Sequence, residues 1–339
     1  MTHYWNDIPP VEAFLQDVER VLLSTVDMGA LPIAGHIADL VRSGGKMLRP
    51  ALVYIGSEFA LAGKRKAVFS ASQYEKLVHL AAALELLHTA TLVHDDILDR
   101  ADTRRGMPSL HRRLGTAEAI LAGDWLFART FKLVTSRVRQ EHAMLLADFV
   151  AAICKAEIMQ DMHKFSFDTT RRIYHQTIAG KTAALFSLSL SVGAAELNCP
   201  PSLVQSLRRT GYNLGMAFQI LDDVLDYVST QEAFKKPVGN DLHEGLCTLP
   251  LILALEENKE TMASLLAELR DSARQPGTSQ ETLIEHIVEI VQHSNGPARA
   301  REEARRYTER AHRELERLPA CSGRDHLALT LDRLLVRTY

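Results

Sequence analysis

The chain has 339 residues, which is enough for one large domain or two of ordinary size. Apolar residues make up 46% of it, sufficient for a large core, and a formal net charge of -3 gives no reason to propose nucleic-acid binding. The four cysteines form no CxxC or zinc pattern, so they are expected to be thiols in a reducing compartment.

The predicted elements are helices throughout. The N-terminal residues MTHYWNDIPPVEAFL lack a basic segment followed by an apolar one, so no signal peptide is predicted. From about Pro10 onward the apolar residues follow helical periodicity, and no run alternates as a strand would. Glycines and prolines divide this pattern into roughly ten helices. Because no low-complexity linker interrupts it, we predict a single all-α domain over residues 1–339.

Three of these helices are predicted to be long, near residues 72–100, 142–164 and 205–228. The most apolar stretch, 182–197, is short for a membrane span and contains three serines, which favours a buried core helix. The stretch 299–317 is heavily charged and is typical of a surface helix. We therefore expect a soluble, cytoplasmic protein.

One aspartate motif occurs twice, as DDILD at residues 95–99 and DDVLD at residues 222–226. Residues four apart lie on one face of a helix, so the first and last aspartates of each motif point the same way. Clustered carboxylates repel each other unless hard cations lie between them. Mg2+ is usually held by one or two carboxylates together with substrate phosphates. Two such helices facing each other would form a cage for Mg2+ and a diphosphate.

Basic residues follow at positions suited to a phosphate. The segment GGKMLRP places Lys46 and Arg49 three residues apart after a double glycine, and Arg104 and Arg105 follow the first aspartate motif. The residues GKT at 180–182 are expected to open a helix whose N-terminus meets the diphosphate. They are not a Walker A loop.

In this order and spacing, the residues closely resemble the trans (class I) polyprenyl diphosphate synthases. The resemblance covers about residues 40–255 and is carried by GGKxxRP, LLHTATLVHDDILDxxxxRRG, GDWLFA, GKTAALF, FQILDDVLDY and KPxGxDLxEGxxTLP. It implies a bundle of mostly antiparallel helices around a central cavity, the isoprenoid synthase fold. It also implies Mg2+-dependent, head-to-tail condensation of isopentenyl diphosphate with an allylic diphosphate, with loss of pyrophosphate.

The resemblance also implies roles for the matching residues. Six aspartates are expected to hold Mg2+ on the allylic diphosphate: Asp95, Asp96, Asp99, Asp222, Asp223 and Asp226. Three cations are expected to contact that diphosphate: Arg104, Lys181 and Lys236. Four residues are expected to bind the diphosphate of isopentenyl diphosphate: Lys46, Arg49, His88 and Arg105. Thr182 and Gln219 are expected to lie beside the developing allylic cation, and pyrophosphate is the candidate base.

The residues before the first motif bear on product length. Ala90 and Thr91 are small, whereas short-chain members of the family place an aromatic wall at or near these positions. This predicts a deep cavity, with Leu87 as a candidate floor together with Ala83, Leu84 and Ile158 or Met159. We expect a product longer than geranylgeranyl, as in hexaprenyl- and heptaprenyl-type synthases, made from a farnesyl or geranylgeranyl primer. Membrane contact is expected to be at most peripheral, for product release.

Two positions depart from the family pattern. Leu246 replaces the lysine of the usual EGK, which removes a charge-assisted hydrogen bond worth about 10- to 100-fold in affinity or rate. Some synthases that work with a second, non-identical subunit also lack this lysine, so a heterodimer stands beside the expected homodimer. Met47 replaces a residue that is often basic, at a position expected to tolerate exchange.

Three alternatives were weighed against this interpretation. A class I terpene cyclase shares the fold and the first motif but does not need GGKxxRP or RRG. A metal phosphohydrolase is suggested by His94-Asp95 but leaves the repeated motif unexplained. A non-catalytic partner subunit usually loses the aspartates, and all six are present here.

Overall fold

The computed structural model describes residues 3–27, 29, 31, 33–43, 45–64, 67–228, 238–273 and 280–335. In this part of the chain nearly all regular structure is helical, which confirms the all-α prediction. The one sheet found there is a hairpin of two strands, β1 (Thr103–Arg104) and β2 (Met107–Pro108), paired antiparallel.

The described residues contain sixteen α-helices, more than the roughly ten predicted, because several short helices adjoin without a glycine or proline between them. The first eight are α1 (Pro9–Thr25), α2 (Ile33–Arg42), α3 (Leu48–Glu58), α4 (Ala71–Leu98), α5 (Leu110–Leu114), α6 (Thr116–Arg137), α7 (Gln140–Met162) and α8 (Arg171–Ile178). The others are α9 (Ala184–Glu196), α10 (Pro201–Val228), α11 (Asn240–His243), α12 (Leu249–Glu257), α13 (Lys259–Ser272), α14 (Glu281–His293), α15 (Gly296–Glu316) and α16 (Ser322–Leu335).

The three long helices predicted from periodicity are α4, α7 and α10. A capping box starts α4: the Gln73 N–H donates to Ser70 Oγ at 3.2 Å, and the Ser70 N–H donates to Gln73 Oε1 at 2.9 Å. The helix is buried over most of residues 77–90 and ends at Leu98. The first aspartate motif therefore forms its C-terminal turn.

The chain divides into two compact units. The first comprises Met1–Ala147, Leu188–Arg208 and Leu315–Ala328, and the second comprises Asp148–Ser187, Arg209–Glu314 and Leu329–Tyr339. A single domain over the whole chain stays a prediction.

In the first unit, α1, α3 and α6 pack on α4 around fully buried side chains such as Phe14, Leu52 and Leu84. Gly123 permits close approach of α6, because a Cβ there would lie 2.2 Å from His94 Nε2. The second unit has its own core of side chains from α8, α10, α12 and α14, including Ile220, Tyr227 and Val288. The hydrophobic effect of these two cores stabilises the helices that carry the aspartate motifs.

Two helical stretches are long and apolar enough to cross a membrane by length and composition alone, Ala71–Leu98 and Arg171–Glu196. Their most apolar windows are 72% and 67% buried inside the protein, as expected for core helices of a folded domain. The prediction of a buried core helix near residues 182–197 is confirmed, since Phe186, Leu190 and Val192 are almost fully buried.

Candidate active site

The first aspartate motif forms the last turn of α4. Asp96 is 3% exposed, whereas Asp95 and Asp99 are half-buried, and the Asp99 N–H donates to the Asp95 carbonyl at 2.8 Å. The C-terminal end of a helix carries a partial negative charge that favours cations. Asp95 and Asp99 lie one turn apart, so this turn offers two carboxylates to a metal ion from the favourable end of the helix.

Arg104 is held by the central aspartate of the motif. Its Nε donates to Asp96 Oδ1 at 2.7 Å, and its Nη2 contacts the same oxygen. The β1–β2 turn places Arg105 and Gly106 at positive φ of 53° and 77°, the geometry that tight hairpin turns require and that glycine adopts readily. The RRG sequence therefore builds a sharp turn that fixes both arginines next to α4.

Residues 45–50 of the GGKMLRP segment lie at the N-terminus of α3. Arg105 Nη1 donates to the Ser43 carbonyl at 3.3 Å. Its guanidinium lies close to Gly45, where a Cβ would be 3.5 Å from Arg105 Nη2. Residues missed by the sequence analysis support the segment from the N-terminus: Trp5 Nε1 donates to the Lys46 carbonyl at 2.6 Å, and Lys46 Nζ lies 4.8 Å from the centre of the Tyr4 ring.

Met47 precedes α3 in a buried, left-handed position. Its side chain is 9% exposed, and its φ of 46° is one that a residue with a Cβ adopts only at a cost of about 1 kcal/mol. Tolerance of exchange at residue 47 stays a prediction.

The electrostatics of the basic residues are set by burial. Burial lowers the pKa of Arg49 to about 10, and Glu85 opposes this while Arg105 adds to it. Burial, then the charges of Arg49, Arg105 and Arg104, hold the pKa of His88 well below its usual value. Arg49 is therefore a cation at neutral pH, whereas His88 is a neutral imidazole that offers one N–H to an anion.

The second aspartate motif lies at the C-terminal end of α10. Asp222 is exposed, whereas Asp223 is 6% exposed and both its oxygens accept hydrogen bonds: Tyr174 Oη donates to Oδ2 at 2.5 Å and Gln219 Nε2 donates to Oδ1 at 2.8 Å. Burial raises the pKa of Asp223 to about 7, although the two hydrogen bonds favour its charged form. In this arrangement Asp223 orients Gln219 and Tyr174.

Asp226 holds the start of the short helix α11. Its two carboxylate oxygens accept the backbone N–H groups of Asn240 at 3.1 Å and Asp241 at 2.9 Å. Asp241 is half-buried with its Oδ2 atom shielded from solvent, and burial, followed by the charges of Asp226 and the neighbouring acids, raises its pKa well above the usual value. The acidic group around the second motif thus includes Asp241, which the sequence analysis did not single out.

The expectation that residues 180–182 open a helix was wrong. Ala179–Ala183 form a π-helical turn within one continuous helical stretch from Arg171 to Glu196. Gly180 packs on α7, where a Cβ would lie 2.8 Å from Ala156 Cβ. No helix N-terminus is available there to a phosphate. π-turns inside helices are frequent at functional sites because they turn side chains out of the regular pattern.

The π-helical turn carries Lys181 and Thr182, the two side chains predicted to act at this site. Thr182 Oγ1 donates to Gln219 Oε1 at 2.7 Å, which joins Thr182, Gln219 and Asp223 in one chain of hydrogen bonds. Lys181 Nζ lies 3.1 Å from both oxygens of Glu157 on α7, an acid that the sequence analysis did not consider. Lys236, the third predicted diphosphate contact, lies outside the described residues.

The residues proposed to set product length lie on the buried part of α4. Ala90 and Leu87 are fully buried, and Thr91 is half-buried with its hydroxyl donating to the His88 carbonyl at 2.8 Å. Ile158, a candidate floor residue, is 60% exposed on α7. It lies on the solvent face of that helix together with Met162, and so it does not form a buried floor.

Within the described residues, no group of three or more His, Cys, Asp or Glu side chains is arranged to hold a metal ion by itself. The donor set of the first motif still suits Mg2+, because this ion takes one or two carboxylates and completes its shell with water and phosphate oxygens. Asp95 and Asp99 would provide the two carboxylates, and the hairpin arginines would provide charge for the phosphates.

Comparisons with known proteins agree with this geometry. A family model described as polyprenyl synthetase matches residues 32–291. The chain is 37% identical over 311 residues to the all-trans-nonaprenyl-diphosphate synthase (geranyl-diphosphate specific) of Rhodobacter capsulatus, covering 90% of this chain and 89% of the relative. It is 36% identical over 253 residues to heptaprenyl diphosphate synthase component 2 of Geobacillus stearothermophilus, covering 73% and 75%.

The fold is shared with solved structures. The geranylgeranyl pyrophosphate synthase of Lactobacillus brevis superposes with a TM-score of 0.87 at 34% identity, over 98% of this chain and 99% of that one. The resemblance found in the sequence motifs and the isoprenoid synthase fold are thereby confirmed. The chain belongs to the polyprenyl synthetase family and is a prenyltransferase.

Proposed function

We propose that this enzyme condenses isopentenyl diphosphate head-to-tail with farnesyl or geranylgeranyl diphosphate to form a long-chain all-trans polyprenyl diphosphate. The observation that carries the proposal is the last turn of α4, where Asp95 and Asp99 stand beside an arginine that Asp96 holds in place. Carboxylates for a cation and a fixed guanidinium for phosphate oxygens are what a metal diphosphate needs. The enzyme works in the cytoplasm, with at most peripheral membrane contact.

The proposed roles follow the contacts of each residue. Mg2+, when bound, supplies positive charge to the leaving diphosphate. Arg104, Lys181 and Lys236 bind the allylic diphosphate, and Lys46, Arg49, Arg105 and the neutral His88 bind the diphosphate of isopentenyl diphosphate. Thr182 and Gln219 direct oxygen dipoles at the allylic cation, and Asp223 keeps the Gln219 amide in the orientation this requires.

The release of Lys181 from Glu157 belongs to this proposal. The Lys181 ammonium has a carboxylate partner at 3.1 Å in the protein alone. A diphosphate carries more negative charge than one carboxylate, so it competes for this ammonium when it binds. Lys181 is thus held near its working position before substrate arrives.

Long-chain products are supported by the small residues of α4. Ala90 and Thr91 put no aromatic side chain one turn before Asp95, and Ala90 is fully buried. Relatives named as geranylgeranyl and nonaprenyl synthases share the family, so family membership alone does not fix product length. Leu87, one turn before Ala90 on α4, is the proposed floor of the cavity.

Assembly is proposed to use the solvent face of α7. Met144, Ala147, Ala151, Cys154 and Ile158 are exposed and follow one another at intervals of three and four residues, the spacing of a helix–helix seam. The proposed partner is a second copy of this chain. The relative named as component 2 of a heptaprenyl synthase, together with Leu246, supports a second, non-identical subunit as the alternative.

Light scattering on the purified chain tests the assembly. We expect the mass of a dimer for the native protein and that of a monomer for Ile158→Glu, since a buried unpaired charge opposes association. The control is Glu285→Lys, an exposed site on α14, which should remain dimeric. A native protein that is monomeric at micromolar concentration would contradict the homodimer.

Radiolabelled isopentenyl diphosphate, supplied with Mg2+ and either farnesyl or geranylgeranyl diphosphate, tests the reaction. We expect extended polyprenyl diphosphates, resolved by length after dephosphorylation. In parallel reactions in which the allylic primer carries the label, a cyclised hydrocarbon would indicate a terpene cyclase. Release of free phosphate without extension would indicate a phosphohydrolase. A purified chain that extends neither primer would contradict a synthase that works without a second subunit.

A further inference from the structure

Two aromatic residues near the N-terminus contact Lys46, and none of the roles above uses them. Tyr4 and Trp5 lie on a 3₁₀-helical turn formed by His3–Trp5, ahead of residue 32, where the match to the polyprenyl synthetase family begins. Trp5 is 3% exposed, and its indole Nε1 donates a hydrogen bond to the Lys46 carbonyl at 2.6 Å. Because an indole N–H can only donate, its burial at this position depends on that carbonyl.

Trp5 is itself held by the first unit. The Ile8 N–H donates to the Trp5 carbonyl at 2.8 Å, Ile8 is 1% exposed, and α1, which follows, packs on α3 and α4. The indole is therefore a fixed point, although it lies 41 residues from Lys46 along the chain. Lys46 precedes α3 and belongs to no helix. Its backbone thus has an anchor outside its own segment.

The Tyr4 ring acts on the Lys46 side chain. Lys46 is exposed, and its Nζ lies 4.8 Å from the centre of the Tyr4 ring. The Tyr4 and Trp5 rings pack edge to face with centroids 5.0 Å apart, so the buried indole supports the tyrosine ring in turn. An ammonium on an aromatic face is attracted by the ring and keeps N–H donors for an anion, since the ring covers only one side of it.

A second cation approaches the same segment from the hairpin. Arg105 Nη1 donates to the Ser43 carbonyl at 3.3 Å, and a Cβ on Gly45 would lie 3.5 Å from Arg105 Nη2. Like charges repel, and the flexible lysine stem allows its ammonium to move away from the guanidinium toward solvent. The tyrosine ring opposes that movement without adding a negative charge that would compete with a phosphate.

We propose that Tyr4 and Trp5 are positioning residues that hold Lys46 in place to bind the diphosphate of isopentenyl diphosphate. Trp5 fixes the Lys46 backbone, and Tyr4 fixes the ammonium. The inference rests on the proposed function, which assigns this diphosphate to Lys46. Neither aromatic residue touches substrate. They order a flexible cation in advance, so that the incoming diphosphate does not have to order it.

Equilibrium dialysis of radiolabelled isopentenyl diphosphate against the full chain tests the proposal, with no allylic primer present so that no condensation occurs. We expect Tyr4→Leu to raise the Kd about threefold, the strength of an exposed cation–π contact. Trp5→Phe removes the indole N–H, keeps a ring, and should raise the Kd about three- to tenfold. Tyr4→Phe keeps the aromatic face and should bind as the native protein does.

Farnesyl diphosphate with Mg2+, measured separately, shows whether the effect is selective. Its Kd should stay within about twofold of the native value in all three variants, because the proposed function gives this ligand to Arg104 and Lys181. A general loosening of the fold would weaken both ligands alike.

A double-mutant cycle separates positioning from other effects of the tyrosine. Lys46→Met has no ammonium and already binds isopentenyl diphosphate more weakly, so adding Tyr4→Leu should raise the Kd no further. Tyr74→Phe is the matched control, because Tyr74 Oη donates to Asp17 Oδ2 at 2.8 Å in the same unit, and this variant also loses one hydrogen bond from an aromatic side chain. It should lower the thermal unfolding midpoint and leave both Kd values unchanged.

Three outcomes overturn the proposal: an unchanged or lower Kd for isopentenyl diphosphate in Tyr4→Leu, equal rises for both diphosphates, or a rise that persists in Lys46→Met. If Trp5→Phe does not fold, as judged by circular dichroism, Tyr4→Leu carries the test, because Tyr4 is only half-buried. A native chain that binds no isopentenyl diphosphate contradicts the assignment of this diphosphate to Lys46, and the role of both aromatic residues fails with it. Native binding that the variants leave unchanged removes only that role.

Discussion

Asp95 is the residue whose loss should affect turnover most directly. It is half-buried at the C-terminal turn of α4, one turn from Asp99. We expect Asp95→Asn to lower kcat by about 100-fold or more, because an amide retains the shape but loses the charge that holds a divalent cation. Asp222→Asn, at the corresponding position of the second motif, should behave in the same way.

The control for these two variants is Asp332→Asn, at an exposed aspartate on α16. Circular dichroism should show native helicity in all three proteins, and kcat should fall only in the first two. Raising the Mg2+ concentration should recover part of the Asp95→Asn activity if the defect is one of metal affinity. Near-normal kcat in either motif variant would contradict a reaction that needs both clusters.

A second prediction concerns Leu246, where the family usually has lysine. The Leu246 N–H donates to the Asp241 carbonyl at 2.7 Å, so its backbone is already fixed beside the acidic group. Leu246→Lys places a cation next to carboxylates whose mutual repulsion helps raise the pKa of Asp241. We expect unchanged or higher activity, with the KM for the allylic diphosphate falling by up to about tenfold.

Leu246→Met is the control for the loss of the leucine side chain, because it keeps the apolar character and the approximate volume. If Leu246→Lys abolishes activity in a folded protein while Leu246→Met does not, leucine itself has a role at this position. Measuring both variants with and without a two-fold molar excess of the native chain would show whether that role depends on assembly.

The sequence predicts individual site residues well where the motif is local and poorly where the partner is distant. Each aspartate motif was predicted from spacing within one helix, and RRG from the sequence of one turn. Tyr174 lies 49 residues from Asp223, which it contacts, and no periodicity links the two. Glu85 is visible in the sequence as a carboxylate in an apolar stretch one turn before His88, but its burial depends on segments that are distant along the chain.

At the scale of the element, helix periodicity predicted α4 and α10 nearly to their ends, because apolar spacing and a capping box act locally. The π-helical turn at Ala179–Ala183 was not predicted. Gly180 looks like a break in a helix, yet here it allows the chain to pack against Ala156 of α7. Tertiary packing decides whether such a glycine ends a helix or lies within it.

The third prediction belongs to α4. If the product chain runs along this helix past Ala90, a ring at residue 90 shortens the available cavity. Ala90→Phe should shift the products toward farnesyl and geranylgeranyl lengths, as measured by chromatography of the dephosphorylated prenols. Its stability should fall by about 1–3 kcal/mol at most, the usual cost of overpacking.

Ala81→Phe separates shortening from overpacking. Ala81 is as fully buried as Ala90 on the same helix but lies about two and a half turns before it, on the opposite face. This variant should lose comparable stability and keep the native product length. A folded, active Ala90→Phe enzyme with native product lengths would show that the product does not pass residue 90.

At the scale of the whole molecule, composition and periodicity predicted the all-α class, since helices need only local spacing and caps. They did not predict how the chain divides between two compact units. Each unit is built from three separate stretches of the sequence. Which helices share a core depends on side-chain fit between distant segments, such as Gly56 against the Leu190 carbonyl. That information is not periodic along the sequence.

The last prediction concerns stability against pH and depends on an ion pair between α8 and α15. His175 Nε2 lies 2.6 Å from Glu303 Oε1, and Arg171 Nη2 lies 2.8 Å from Glu303 Oε2. The ion-pair contact with His175, opposed by burial and assisted by Arg171, lowers the pKa of Glu303 to about 2. The same contact, opposed by burial, raises the pKa of His175.

The two shifts define a pH window for this contact. A lowered carboxylate pKa stabilises the fold above the unfolded value, about 4.3, and this contribution is lost as the pH falls toward 2. A raised histidine pKa stabilises the fold below the unfolded value, about 6.5, and this contribution is lost as the pH rises through the folded value. The pair should therefore contribute most between about pH 4.5 and 6.5.

Urea unfolding of the native protein and Glu303→Gln, at pH 5.5 and pH 8.5, measures this contribution. We expect the difference in unfolding free energy to be about 1 kcal/mol at pH 5.5, because the pair is half-buried and partly screened. The difference should be smaller at pH 8.5, because the contribution of His175 is lost as the pH rises through its raised pKa while Arg171 stays protonated. Glu309→Gln is the control, since Glu309 pairs with Arg305, which stays protonated at both pH values, so its effect should not change with pH. A Glu303→Gln difference that is equal at both pH values would show that Arg171 alone accounts for the stabilising contact.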